Sequence, residues 1–195
     1  VFCQDKPFPQ VDILIPRARF IDQPELRLML LYELERQGIP MLNPPASIAL
    51  AKNKIKALTL FEGLGLPIPR TVFLEDLTAL GKMLQDFQFP VVVKPPFGSY
   101  GFGIFLADSE MSLRSLLEFQ WKTQGITPLL VQEFIEEAEG KDTRVFVVGG
   151  EVQAAMERKA QAGEFRSNVE LGGSTKLVEI SDSLEELALR AVQAL

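Results

Sequence analysis

The stretch from residue 91 to residue 103, VVVKPPFGSYGFG, carries the clearest fold information in the chain. Three consecutive valines predict a strand buried on both faces, because β-branched side chains favour packed, pleated backbone. Lys94 closes this strand, and a glycine loop from Gly98 to Gly103 leads into a second apolar run at 104–107. The stretch therefore predicts two strands joined by a glycine-rich loop.

The loop has the composition of an anion-binding segment. Its glycines allow the backbone to approach a ligand and to turn amide N–H groups toward an anion. It joins two strands, lacks the Gly-Lys-Ser/Thr of a Walker A loop, and differs in spacing and context from a dinucleotide-binding fingerprint. A glycine-rich hairpin without a ligand is the alternative. Lys94, four residues before Gly98, favours phosphate binding, since it would add a point charge to the amide donors.

Two lysines are candidate phosphate ligands. Lys94 taken alone is more simply interpreted as a solvent-exposed lysine, and only the neighbouring glycine loop favours a site. Lys54 lies on a helix predicted from Ser47 to Phe61, where a solvated helix face is the simpler interpretation.

Helices and strands are mixed along the rest of the chain. Strands are predicted at 11–15, 70–74, 128–135, 143–148 and 151–158, and helices at 23–36, 47–61, from 76 or 78 to 87, at 110–122 and from 184 onward. In the first helix Leu26, Leu30 and Leu34 are predicted to face the core. A Gly-Gly pair at 149–150 predicts a hairpin, and residues 159–175 are predicted to form a polar loop. This order favours an α+β fold over a doubly wound parallel sheet.

Composition limits the function classes. The chain has 195 residues, 47% of them hydrophobic, and a net charge of −6. The acidic balance argues against nucleic-acid binding, and no apolar run approaches the about 20 residues that a membrane span needs. Because histidine is absent, Ser-His-Asp triads and most zinc sites are excluded. A single cysteine fits a reducing, cytoplasmic location.

Two later segments carry further candidates. Glu133 and Phe134 end a predicted strand and begin an acidic stretch that runs to Asp142. Backbone groups of Glu133 and Phe134 could bind adenine, and the carboxylate of Asp142 could bind the ribose. A solvated acidic loop is the alternative. Arg158, Arg166 and Asn168 suggest recognition of an anionic substrate, because arginine suits multidentate binding of phosphate or carboxylate. A surface loop is the alternative here.

Taken together and in order, six stretches resemble the ATP-grasp superfamily, and within it the RimK family of glutamate ligases. They are 13–17 (ILIPR), 52–54 (KNK), 92–94 (VVK) with 98–103 (GSYGFG), 131–135 (VQEFI), 140–144 (GKDTR), and 163–168 (GEFRSN) with Gly172-Gly173. The sequence departs from the family pattern at Asn53, where the family usually has Asp, and at Tyr100, where it has a smaller amide residue.

The resemblance implies a fold and a domain organisation. It implies an ATP-grasp fold, in which two α+β lobes clasp ATP. Residues 1–45 would be the end of a preceding α/β domain, and 46–195 an ATP-grasp domain incomplete at its C-terminus. The cofactors implied are ATP and Mg²⁺, and the family's metal ligands, which include a Glu-x-Asn pair, are expected beyond residue 195. The absence of an initiating Met also suggests a chain already under way, so we expect a fragment that is inactive alone.

The resemblance also assigns roles to the candidate residues. Binding of ATP would involve residues that neutralise the phosphates (Lys54, Lys94), that close over them (Gly98, Ser99, Gly101, Gly103), that meet adenine (Glu133, Phe134) and that hold the ribose (Asp142). The residues expected beside the γ-phosphate and the acyl group, where catalysis would occur, are Arg166 and Asn168.

The activity implied is that of an ATP-dependent carboxylate–amine ligase acting through an acyl phosphate. It would add glutamate to the carboxylate of a protein, including a protein C-terminus, of a peptide or of a small molecule. An ATP-grasp kinase and a non-catalytic nucleotide-binding regulator are the alternatives. No nucleic-acid or membrane partner is expected, and the sequence indicates neither the acceptor nor the oligomeric state.

Overall fold

The computed structural model describes residues 2–3, 6–17, 23–125, 127–138 and 140–195. Within these ranges strands and helices alternate irregularly, as the sequence predicts. The strands are β1 (Phe2–Cys3), β2 (Lys6–Pro7), β3 (Thr71–Leu74), β4 (Val91–Lys94), β5 (Phe105–Ala107), β6 (Leu129–Glu133), β7 (Lys141–Val148), β8 (Glu151–Lys159) and β9 (Ser174–Leu177). The helices are α1 (Pro24–Arg36), α2 (Pro45–Lys52), α3 (Lys54–Gly63), α4 (Leu80–Met83), α5 (Glu110–Gln124) and α6 (Asp182–Gln193).

A four-stranded antiparallel sheet in the order β3-β6-β4-β5 forms the first lobe. Because side chains alternate along a strand, Val91 and Val93 enter the core, whereas Val92 and Lys94 lie half-buried on the opposite face. The prediction of a strand buried on both faces is therefore wrong. The alternation places Lys94 on the face of the sheet opposite this core.

The core of this lobe lies between the sheet and α5. Leu113 and Leu117 of α5 are fully buried and pack with Val91 and Val93. Burial of each such side chain stabilises the fold by about 2 kcal/mol. Ser109 and Ser112 form a reciprocal capping box that begins α5. The helix predicted to extend to residue 87 is shorter than expected: α4 has a single turn and continues as a 3₁₀ turn through Asp86.

The second lobe contains the antiparallel sheet β7-β8-β9, with α6 packed along it. Gly149 and Gly150 join β7 to β8 with φ of 62° and 83°, the positive values that a two-residue hairpin turn of this type requires. This confirms the predicted hairpin. β9 begins inside the predicted loop and ends two residues beyond it. It was not predicted because its four residues, STKL, are all exposed and show no alternation.

The helix predicted from Ser47 to Phe61 is two helices. Asn53 separates them with extended backbone, and its side-chain oxygen accepts hydrogen bonds from the N–H groups of Ile55 and Lys56. Asparagine is a favoured N-cap residue for this reason. α2 begins at Pro45, two residues before the predicted start at Ser47. The break makes Lys54 the first residue of α3.

The N-terminal part differs most from expectation. In α1, Leu28, Leu31 and Leu34 are buried, whereas Leu26 and Leu30 are exposed, because Leu28 and Leu31 pack with Ile48 of α2. The strand predicted at 11–15 is reduced to one parallel bridge, Leu14 to Met41. The boundary between residues 45 and 46 stays a prediction, although the Leu28–Ile48 cluster crosses it. Among the described residues, no helix is long and apolar enough to cross a membrane.

Candidate functional site

Lys94 lies on the face of the four-stranded sheet opposite α5, within a series of hydrogen bonds. Its ammonium donates to Gln132 Oε1. Gln132 Nε2 donates to Thr71 Oγ1 at 2.6 Å, and the Thr71 hydroxyl donates to the backbone oxygen of Pro69 at 2.8 Å. This series of hydrogen bonds spans three adjacent strands, β4, β6 and β3, and restricts the position of the Lys94 ammonium.

Lys54 lies close to Lys94 and is held by the segment that follows β4. Its backbone N–H donates to Pro96 O at 2.9 Å, and its Nζ donates to Pro95 O at 3.2 Å. Burial lowers the pKa of Lys94 to about 8, and the charge of Lys54 contributes to that shift. Burial, followed by the charge of Lys52, also lowers the pKa of Lys54. Two cations kept together at a partly buried place form a natural site for an anion.

The glycine loop lies against both lysine-bearing segments and the second lobe. A Cβ added to Gly98 would lie 3.6 Å from Lys54 Nζ, and one added to Gly103 would lie 3.3 Å from Pro95. Gly101 has φ of +77°, and its Cβ would lie 2.7 Å from Asn168 Oδ1. The N–H of Phe102 donates to Ser99 O, which tightens the loop. Glycine is required at Gly101 for both conformation and space.

Arg166 connects the second lobe to this loop. Its Nη1 donates to Gly101 O at 3.0 Å, and its Nε and Nη2 donate to the two oxygens of Glu164. The hydrogen bonds from Arg166 hold the pKa of Glu164 at about 2. The Arg166 guanidinium also lies 5.6 Å from the centre of the Phe165 ring. These contacts orient the arginine tightly beside the loop.

Asp142 anchors the segment that carries Arg166 and Asn168. Its Oδ1 and Oδ2 accept from Arg158 at 2.7 and 2.5 Å, and Oδ2 also accepts from the buried Ser167 hydroxyl at 2.6 Å. Burial alone would raise the pKa of Asp142, but the hydrogen bonds from Arg158 and Ser167 outweigh burial and lower it. The carboxylate predicted to hold the ribose is thus bonded within the protein, and Arg158, expected in the anion-binding cluster, neutralises it.

Gly173 closes the same segment from the other side. A Cβ at this position would lie 2.7 Å from Ser167 O and 2.9 Å from Asn168 O. Backbone atoms cannot move aside as a flexible side chain would, so only glycine fits without displacing the backbone of residues 166–168.

Glu133 and Phe134 lie at the end of β6. The Glu133 N–H donates to Arg70 O at 3.0 Å, and its carboxylate accepts from the Arg70 N–H at 2.7 Å. Phe134 packs edge-on against Phe165 with ring centres 6.2 Å apart, which ties β6 to the Arg166 segment. Glu139, part of the acidic stretch, lies outside the described residues.

The structure thus brings Lys54, Lys94, the glycine loop, Arg166 and Asn168 into one region, although they come from four parts of the sequence. Sequence reasoning missed the residues that support this group: Thr71, Gln132, Glu164 and Ser167. Gln132 had a detectable signal, since it is a polar residue in the apolar run LLVQEF. In the part of the chain that the structure describes, no group of three or more His, Cys, Asp or Glu could hold a metal ion.

Comparison with protein families assigns the chain. The family model of the RimK-like ATP-grasp domain matches residues 51–195. The chain belongs to the RimK-like ATP-grasp family. This match includes both lysines, the glycine loop and the Arg166 segment, and it begins after α1.

Curated relatives of this RimK-like chain are named probable alpha-L-glutamate ligases. The protein from Mannheimia succiniciproducens is 38% identical over 187 residues, covering 96% of this chain and 62% of the relative. The protein from Stutzerimonas stutzeri is 37% identical over 198 residues, covering 97% and 62%. The chain therefore spans somewhat less than two thirds of the length of these relatives.

Solved structures share the ATP-grasp fold. A RimK domain protein from Sphaerobacter thermophilus matches with a TM-score of 0.76 and 20% identity, over 95% of this chain and 65% of that chain. D-alanine–D-alanine ligase from Bacillus anthracis, solved with ATP, matches with a TM-score of 0.72 and 18% identity, over 94% and 60%. At these identities the likeness concerns the fold, and it confirms the α+β ATP-grasp prediction.

Proposed function

We propose that this RimK-like domain binds ATP and belongs to a carboxylate–amine ligase that forms an amide bond. The proposal is carried by one observation: Lys54, Lys94 and the glycine loop lie next to one another at a partly buried site. As a substrate, ATP would give its γ-phosphoryl group to a carboxylate, and an amine would then displace phosphate to form the amide. The residues of the chain contribute binding, orientation and charge.

The local chemistry fits a polyphosphate. Lys54 donates to a backbone oxygen and Lys94 to an amide oxygen, and neutral acceptors do not cancel the two positive charges. Gly98 offers no side chain between Lys54 and the loop backbone. Cations on one side and loop amides on the other are the combination that phosphate recognition requires. Lys54, Lys94, Gly98, Ser99, Gly101 and Gly103 would hold the phosphates.

The remaining assignments follow from position. Arg166 and Asn168 lie against Gly101, so they would act beside the terminal phosphate and the reacting carboxylate. Glu133 and Phe134, at the end of β6, would contact adenine. Asp142 would contact the ribose, whose hydroxyl groups would compete with Arg158 and Ser167 for the carboxylate oxygens. We propose residues 46–195 as the ATP-grasp domain.

Mg²⁺ would accompany ATP as the second cofactor of the proposed site. In nucleotide sites Mg²⁺ is commonly held by one or two carboxylates together with the phosphates, and among the described residues no group of three or more His, Cys, Asp or Glu could hold a metal ion.

Glutamate is proposed as the amine substrate because the curated relatives are named for glutamate ligation. The acceptor would be the carboxylate of a protein C-terminus, a peptide or a small molecule. This part of the proposal depends on the relatives, whereas the ATP site depends on the geometry of the chain itself.

The test is phosphate release by the full-length protein with Mg-ATP and glutamate, across a panel of carboxylate acceptors. Lys94→Ala is the test variant, and Lys82→Ala, an exposed lysine on α4, is the matched control. Acceptor-dependent release with a new amide in the mass spectrum, lost in Lys94→Ala only, supports the ligase. A phosphorylated product would identify a kinase, and ATP binding without turnover would identify a regulator. Failure to bind ATP would overturn the proposal.

A further inference from the structure

We propose that Gln132 is a positioning residue that holds the Lys94 ammonium at the phosphate subsite while leaving its charge uncompensated. The inference rests on the proposed ATP-binding function and deepens it. Gln132 has no role among the predicted site residues and is buried, with 7% of its surface exposed. A buried polar side chain on a strand needs hydrogen-bond partners, and here the partners define its task.

The strand register places Gln132 between the two groups that it joins. β6 is flanked by β4 and β3, and Gln132 pairs with Val92 on one side and with Thr71 on the other. Gln132 therefore lies on the same face of the sheet as Lys94, which is two residues along β4 from Val92. From this position one side-chain amide reaches both Lys94 Nζ and Thr71 Oγ1.

The direction of each hydrogen bond in the series from Lys94 to Pro69 is determined by the chemistry of its donor and acceptor groups. An ammonium can only donate, so Gln132 must present its oxygen to Lys94. Its NH₂ group then faces Thr71, whose oxygen accepts and whose hydrogen is directed to Pro69 O. Pro69 O can only accept. Reversing the amide would put two donors against each other at Lys94, so the network holds one orientation.

The choice of an amide matters for charge. Elsewhere in this region the chain places carboxylates against its arginines, with Asp142 on Arg158 and Glu164 on Arg166. Opposite Lys94 it places a neutral oxygen. A carboxylate at position 132 would hold the lysine equally well but would cancel the charge that a phosphate needs. Gln132 therefore separates the positioning of Lys94 from its neutralisation.

The experiment compares four variants of the full-length protein. Gln132→Met keeps the length and removes both hydrogen bonds, Gln132→Glu keeps the acceptor and adds a charge, and Thr71→Val removes only the far partner. Gln120→Met is the matched control, since Gln120 is also buried but lies on α5, which packs against the opposite face of the sheet. Two quantities are measured: the pKa of Lys94, by NMR of ¹⁵Nζ-labelled lysine without nucleotide, and the Kd for ATP by calorimetry.

We expect Gln132→Met to lower the pKa of Lys94 by about one and to weaken ATP binding by about ten-fold. Thr71→Val should shift both quantities in the same direction by less. Gln132→Glu should raise the pKa of Lys94 and still weaken ATP binding, an opposition that simple loss of packing would not produce. Gln120→Met should change neither quantity.

The outcomes separate this inference from the proposed function. An unchanged pKa of Lys94 in Gln132→Met, or ATP binding by Gln132→Glu as tight as by the wild type, overturns the positioning role. If the wild type does not bind ATP, the proposed function fails, and the NMR titration still decides whether Gln132 controls the Lys94 ammonium. Should Gln132→Met fail to fold, Gln132→Glu and Thr71→Val carry the test.

Discussion

Arg166 Nη1 donates a hydrogen bond to the backbone oxygen of Gly101 at 3.0 Å, across 65 residues of sequence. The bond joins the loop between β4 and β5 to the loop between β8 and β9, and so connects the two lobes. Glu164 holds the other side of the guanidinium. Arg166 is thus both a candidate phosphate ligand and a structural link to the glycine loop.

Replacement of Arg166 by Lys should therefore lower the catalytic efficiency, although the positive charge is kept. The lysine ammonium lacks the planar, forked donor geometry with which the guanidinium binds Glu164 and Gly101 at the same time. We therefore expect kcat/KM for ATP to fall by about 100-fold. Steady-state kinetics of the full-length protein measure this. Arg114→Lys, on the exposed face of α5, is the matched control. Near-wild-type activity of Arg166→Lys would show that charge alone suffices.

Gly101→Ala should disturb the glycine loop more than alanine at an equally left-handed glycine elsewhere. Gly38 has φ of +82° with open space around it, whereas Gly101 has φ of +77° and would press a methyl group against Asn168. Gly38→Ala should lower the free energy of unfolding by about 1 kcal/mol from backbone strain alone. Gly101→Ala should show a similar loss and, in addition, ATP binding weakened by about ten-fold, measured by calorimetry. Equal ATP affinity in the two variants would contradict the proposed contact of the loop with nucleotide.

ATP binding should weaken as pH rises, because Lys94 titrates near neutrality. Its pKa is lowered to about 8, so the ammonium is mostly present at pH 7 and mostly lost at about pH 9. If only the charged form binds phosphate, the Kd for ATP should rise by about ten-fold over that range. Lys94→Arg keeps its charge throughout and serves as the control, with a flatter profile. Parallel pH profiles would show that Lys94 does not bind the phosphates.

Asp142→Asn should destabilise the second lobe and remove part of its acid sensitivity. The pKa of Asp142 is lowered below its ordinary value of 3.8. Its contribution to stability is therefore complete above that value and is lost as pH falls through the folded-state pKa. Because the ion pair is only partly buried, we expect a loss of about 1–2 kcal/mol at pH 7, measured by urea denaturation.

The control for that experiment is Asp108→Asn, at an exposed position before α5. It should leave the free energy of unfolding nearly unchanged. A stability difference between wild type and Asp142→Asn that stays constant from pH 7 to about pH 3 would contradict the role of the Asp142 carboxylate.

Local pattern predicted much of the fold. The strand formed by the run of valines and the Gly-Gly hairpin lie where the sequence indicates, because each depends on residues close together in the chain. The prediction failed where a distant partner decides. In α1 the buried stripe is set by Ile48 of α2, and β9 is a strand only because β8 offers an edge for it.

The candidate site divides in the same way. Lys94 and the glycine loop can be recognised in the sequence, because a lysine and clustered glycines directly after an apolar strand indicate a binding loop. The groups that orient them, Gln132 for Lys94 and Glu164 for Arg166, were not predicted. Their roles depend on strand register and loop approach.

By itself the sequence determined the chemistry available to this protein: no histidine, two candidate lysines, a glycine loop and a family-specific order of short stretches. Only the tertiary structure decided which of these groups meet and what each one bonds. Strand pairing placed a neutral amide against Lys94 and the contact between lobes placed Arg166 on Gly101. The physical reason is that composition and local preference act over a few residues, whereas charge, burial and hydrogen bonding at a site are set by neighbours that are distant in sequence.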